Sequence, residues 1–142
     1  MTEPNVLQAV PFFAVANIEE SVRYYADLDF VMTRKWIDQG KLRWCWLQIG
    51  NAALMLQQFR REGHDSRVPS GKAGDGVSIY FQCRDALAIY RAAARRGVKA
   101  SRPMVGNGQW ETSLSDPDGY KVVFVSPTDL PEDTELSETE AV

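Results

Sequence analysis

The sequence predicts an α+β protein in which one βαβββ unit occurs twice. The segment Val-Pro-Phe-Phe-Ala-Val-Ala-Asn from Val10 has a counterpart in Ser-Ile-Tyr-Phe-Gln-Cys-Arg-Asp from Ser78. A later strand, Leu54-Met55-Leu56, has its counterpart in Val122-Val123-Phe124. The offset is the same in both pairs, from Val10 to Ser78 and from Met55 to Val123. The two modules are read as residues 8–57 and 76–126. A linker or lid occupies 58–75 and an acidic tail 127–142, the whole forming one domain. A duplicated unit of this kind implies a curved mixed sheet around a cleft, with a small-molecule site between the halves.

The first module opens with a strand at 8–16. Asn17 is a good N-cap, and Glu20 three residues later completes a capping box. Ile18, Val22 and Tyr25 recur at helical spacing and should face the sheet. The helix ends near Leu28-Asp29, where a left-handed residue is expected. Strands follow at about 30–37, 42–49 and 52–57, with turns at Asp38-Gln39-Gly40 and Gly50-Asn51. The second module repeats the order. A strand covers 77–83, and Asp85 caps a helix whose apolar face is Leu87, Tyr90 and Ala94. Gly97 stops that helix after Arg95 and Arg96. Strands are expected near 99–103, 109–115 and 120–126, the last preceded by the turn Asp116-Pro117-Asp118-Gly119. The segment from Gln58 to Asp75 is long and charged, which suits a linker, a lid or both.

Charge and composition exclude several classes. Six of the 19 acids lie after Ser126 with no Lys or Arg among them, leaving 13 acids against all 16 basic residues before that point, a net of +3. The body is too mildly basic for a nucleic-acid surface, and the tail reads as mobile or loosely docked. No apolar run approaches the ~20 residues that span a bilayer. The N-terminus Met-Thr-Glu-Pro-Asn lacks the basic start of a secretory signal. Cys45 and Cys83 lack zinc spacing and read as reduced, buried thiols of a cytoplasmic protein.

Strand alternation assigns faces. Phe13, Val15, Leu54, Leu56, Val77, Ile79, Phe81, Cys83, Val122 and Phe124 should lie under the helices. The opposite, concave face then carries Val10, Phe12, Ala14, Met55, Gln57, Ser78, Tyr80, Gln82, Lys121 and Val123. Trp44, Trp46 and Gln48 are placed with it, and Trp36 and Trp110 are candidates to join.

With elements and faces assigned, the chain resembles the vicinal oxygen chelate superfamily, the glyoxalase/bleomycin-resistance/dioxygenase fold. Two segments carry the resemblance. One is the helix signature from Asn17 through Ser21, Tyr24-Tyr25 and Leu28 to Phe30. The other is Ser115-Asp116-Pro117-Asp118-Gly119-Tyr120 before the last strand. The resemblance covers roughly residues 8–126. It implies the fold more strongly than an activity, because one fold hosts many chemistries. Asp29 stands where the family commonly has Gly, which bears only on the helix end.

The family's metal enzymes place His or Glu on the first and last strands of each module. The resemblance carries those slots to Val10, Met55, Ser78 and Val123: two aliphatic side chains, a thioether and a neutral hydroxyl. A catalytic metal takes about three protein ligands, and soft Met does not suit the ions these enzymes use. The single histidine, His64, falls in the central loop. No metal and no cofactor are expected, and no catalytic residue is assigned.

The ligand-binding candidates are Phe12, Trp36, Trp44, Trp46, Met55, Ser78, Tyr80, Gln82, Trp110, Glu111 and Val123. Such a surface stacks planar ligands and can hold a cation on its π faces. The same aromatics could instead fill a core. Glu111 could orient a basic ligand or serve as a general base, or sit on a solvated face. His64 reads as an exposed loop residue or part of a lid. The leading reading, by the resemblance, is a metal-independent protein similar to bleomycin-resistance proteins. It would be a homodimer that sequesters an aromatic or drug-like molecule in clefts shared between subunits, as in antibiotic resistance. A metal-dependent lyase, isomerase or dioxygenase of the same superfamily is the alternative. A binding module with a regulatory partner is a third.

Overall fold

Each helix begins at the side chain the sequence nominates. Asn17 Oδ1 accepts from the Glu20 amide at 3.1 Å and Asp85 Oδ1 from the Ala88 amide at 3.0 Å. These bonds satisfy donors that a helix start leaves without an internal partner. The computed structural model describes residues 3–61, 68 and 71–137. His64, with the rest of 62–67 and with 69 and 70 of the central loop, lies outside the described residues.

In chain order the elements are β1 (Phe12–Val15), α1 (Ile18–Ala26), β2 (Val31–Asp38), β3 (Lys41–Ile49), β4 (Ala52–Gln58), β5 (Ser78–Gln82), α2 (Ala86–Arg95), β6 (Met104–Gly106), β7 (Gln109–Ser115) and β8 (Lys121–Pro127). They form two four-stranded mixed sheets, ordered β1-β4-β3-β2 and β5-β8-β7-β6. The duplication holds at the level of register. Phe12 pairs with Met55 in the first sheet, and Tyr80 pairs with Val123 in the second. Both partners are displaced by the offset read from the sequence. In each sheet the first and last strands of the module run parallel and side by side, and the other neighbours are antiparallel.

The helix-side faces of both sheets merge into one core. Phe13, Val15, Cys45, Leu47, Leu54 and Leu56 of the first sheet are buried together with Phe81, Leu114, Val122 and Phe124 of the second. Phe30 meets Phe81 edge-on at 5.6 Å, and Phe81 stacks on Phe124 at 5.4 Å. Ile18 and Tyr25 bring α1 into this core, and Ala93 brings α2. Val22 packs beside it as expected. In α2 the buried positions are Ala86 and Ala93, while the predicted Ala94 is exposed. The face is turned one residue from the expectation because a run of three alanines gives no side-chain contrast.

Four other expectations change. The first strand begins at Phe12, so Val10 precedes it. Pro11 has no amide to give a ladder, although its carbonyl accepts from Met55 N at 2.8 Å. The second strand of the second module is Met104–Gly106, not 99–103. It is set by a hairpin turn at Asn107 and Gly108, both at positive φ (53° and 76°). The acidic tail is docked up to Ser137, not loose. It runs along β6, with Val105 N donating to Thr134 O at 2.9 Å, Asp133 N to Val105 O at 2.9 Å and Leu136 N to Pro103 O at 3.0 Å. Leu136 is 2% exposed in a second cluster with Ala86, Val105 and Trp110. Finally, Val77 is exposed, not buried under the helix.

Candidate functional site

The turn before β8 locks the modules together and so fixes where the outer faces point. Asp116 Oδ1 accepts from the amides of Asp118 and Tyr120, both at 2.9 Å. Its Oδ2 accepts from the buried Tyr25 hydroxyl at 2.7 Å. Asp118 reaches back to the Ala16 amide at 2.9 Å, and Tyr120 OH donates to Ala14 O at 2.8 Å while its ring stacks on Phe13 at 4.2 Å. Burial pushes the Asp116 carboxyl above its ordinary value, against the pull of its three donors. Burial, then the nearby Asp116 carboxylate, pushes the Tyr24 phenol to about 12. Tyr25 is pushed up further for the same first reason. These groups join the halves; the phenols stay neutral donors at any physiological pH. With both helix sides turned to the common core, each sheet presents its other face outward.

On the first sheet that outer face is a grid. One cross-strand row is Phe12, Met55, Trp46 and Arg34, and the next is Ala14, Gln57, Trp44 and Trp36. The burial of Cys45 and Leu47 on the opposite side confirms the orientation of Trp44, Trp46 and Gln48. Trp36 is 43% exposed, whereas Trp44, Trp46 and Met55 are half-buried. The Trp46 indole is fixed by donating from Nε1 to Gln48 Oε1 at 2.8 Å. The Arg34 guanidinium lies 4.0 Å from its ring centroid, and that of Arg60 lies 5.7 Å from the Trp36 centroid. A 200 Å³ hollow at the Trp36 end includes Gln57, Arg43 and Arg60.

The second sheet's outer face has rows Ser78, Lys121, Ser115; Tyr80, Val123, Ser113; and Gln82, Val125, Glu111, Met104. Tyr80 is 53% exposed, and Ser78 and Gln82 are exposed, while Val123 is buried at its floor. A hollow of about 650 Å³ lies beside Glu111, Ser113 and Lys121, bounded by the segment from Lys99 to Met104. The Glu111 carboxylate folds back over Gly106, where an added Cβ would stand 3.1 Å from its Cδ.

Of the predicted residues, the structure therefore brings Phe12, Trp36, Trp44, Trp46 and Met55 together on one outer face. Ser78, Tyr80, Gln82, Glu111 and Val123 share the other. Trp110 is the correction. It is 9% exposed and packs under α2 against Ala86, Val105 and Leu136. Adjacent strand residues point to opposite faces, so Trp110 and Glu111 could not both line one face. The signal was present in the sequence: Trp110 shares its parity with Leu114. Arg34, Ser113 and Ser115 were missed. Only the pairing registers, Arg34 with Trp46 and Ser113 with Val123, place them in these rows.

The family's metal slots do not fit a metal here. Val10 lies before β1, Val123 is 1% exposed, and Met55 and Ser78 complete the set. Among the described residues no three His, Cys, Asp or Glu side chains cluster. Cys45 and Cys83 are unpaired thiols; burial raises Cys45 to about 11 and also raises Cys83.

The model of the Glyoxalase/Bleomycin resistance protein/Dioxygenase superfamily matches residues 7–124. The chain belongs to this superfamily. Solved structures of the fold agree. A bleomycin-binding protein in complex with bleomycin is 20% identical, with a TM-score of 0.64 over 87% of this chain and 100% of that one. A bleomycin resistance determinant encoded on transposon Tn5 is 21% identical, with a TM-score of 0.64 over 88% and 100%. A superfamily protein from Nocardioides is 15% identical, with a TM-score of 0.68 over 96% and 93%. At these identities the likeness is one of fold. No curated protein matches the chain. No helix among the described residues is long and apolar enough to cross a membrane.

Proposed function

We propose that this superfamily member is a small-molecule binding protein that holds an aromatic or drug-like ligand against Trp44, Trp46 and Met55 without a metal. The observation that carries the reading is the half-buried aromatic grid on the first sheet's outer face, together with metal slots of the two modules filled by Val10, Met55, Ser78 and Val123. An indole held by Gln48 is pre-organised, so stacking a planar ligand costs little side-chain ordering. Neither outer face is enclosed within one chain. A homodimer in which a second copy covers the grid gives the ligand two walls and excludes water from between them. Stoichiometric capture needs no bond change, only stacking, shape and a few hydrogen bonds.

The test is quenching of Trp fluorescence by a panel of aromatic compounds, with bleomycin as the first member because a structural neighbour binds it. Saturable quenching at one ligand per chain, unchanged by chelator, is expected. Turnover that appears only on adding Mn, Fe, Ni or Zn would assign the chain to the superfamily's enzymes instead.

A further inference from the structure

We propose that the ligand is a planar anion, a carboxylate or sulfonate carried on an aromatic ring; this rests on the small-molecule reading above and narrows it. An aromatic grid alone would favour cations, which π faces attract. Here those faces are already served from within the chain. Arg34 covers Trp46 at 4.0 Å and Arg60 approaches Trp36 at 5.7 Å. A cationic ligand on either ring would meet a guanidinium of like charge. A planar anion gains instead: its ring stacks on the grid or on the guanidinium plane, while its acid group takes the guanidinium's paired donors.

The second sheet's outer face points the same way. Its 650 Å³ hollow is within the size range of small-ligand sites, and Lys99, Arg102 and Lys121 line it beside Ser101, Ser113 and Ser115. The acids there are Glu111, folded back on Gly106, and Glu135 of the docked tail, opposite Met104 at the rim. Among the described lining residues, Lys99 and Lys121 face the single folded-back carboxylate of Glu111, with serine hydroxyls beside them able to donate. The hollow at the Trp36 end likewise sets Arg43 and Arg60 against one carboxylate, Asp38, so the preference for an anion does not depend on which faces close around the ligand.

Three probes of one ring system test this: 2-naphthoate, 2-naphthamide and 2-naphthylmethylammonium, titrated by calorimetry. The naphthoate should bind at least about tenfold tighter than the amide, as expected for one charge-assisted pair. The gap should shrink from roughly 0.05 to 0.5 M salt. Arg34→Gln or Lys121→Gln should narrow it as well. Both side chains are exposed, and unchanged circular dichroism will verify that the variants fold. Equal or tighter binding of the amide or the ammonium would overturn the anion assignment and leave small-molecule binding standing. A gap insensitive to both variants would also overturn it. Failure of all three probes to bind would overturn both.

Discussion

Two strand tryptophans stand on opposite faces of their sheets. Trp46 stands on the outer grid and Trp110 in the core under α2. Trp46→Ala should weaken ligand binding by more than about 1 kcal/mol, from lost stacking and burial, with little change in stability. Trp110→Ala should cost about 3–5 kcal/mol of unfolding free energy, read from denaturant midpoints. The reverse pattern would exchange their assignments. The buried Tyr25–Asp116 bond makes a second residue-scale prediction. Because burial raises the folded Asp116 pKa above the unfolded 3.8, the folded state holds its proton more tightly. Stability from this group is therefore present at acid pH and falls as pH rises from 3.8 through the folded value. Asp116→Asn should flatten that fall relative to the parent, measured as the difference in unfolding free energy across the acid range. Tyr25→Phe should cost about 1–3 kcal/mol by leaving a buried carboxylate oxygen without its donor.

At the scale of elements, what the sequence made legible follows from contrast between faces. β1, β4, β5 and β8 alternate or bound a core strongly enough that Phe13, Leu54, Leu56, Phe81 and Phe124 were assigned correctly. Asn17 and Asp85 announced the helices because their side chains do the capping. β6 was misplaced because its three residues carry almost no pattern, and its position depends on the Asn107-Gly108 turn and the tail. The tail itself looked unstructured by composition. Charge is tolerated there because Glu132, Asp133 and Glu135 are exposed while a single apolar residue, Leu136, inserts into the core. Leu136→Ala should therefore destabilise the protein by about 2–5 kcal/mol, a cost foreign to a loose tail. Equal chemical denaturation of variant and parent would show that the tail does not dock.

Over the whole molecule, the duplicated register and the common core turn the other face of each sheet outward. The fold was legible because repetition at one offset constrains topology, whatever each local choice. The site was half legible: the Trp rows could be read from strand parity, but the guanidiniums over them depend on cross-strand register. A chain of 16.0 kDa with two such open faces should sediment as a dimer of twice that mass, and a monomer at micromolar concentration would contradict the shared cleft. The central claim is metal-free capture on the Trp46 face. Calorimetric titration of chelator-dialysed protein with 2-naphthoate, run in parallel on Trp46→Ala, tests it most directly. Saturable binding near one probe per chain is expected, weakened at least about fivefold in the variant, the factor that corresponds to about 1 kcal/mol. Binding that needs an added divalent metal, or that Trp46→Ala leaves unchanged, would contradict it.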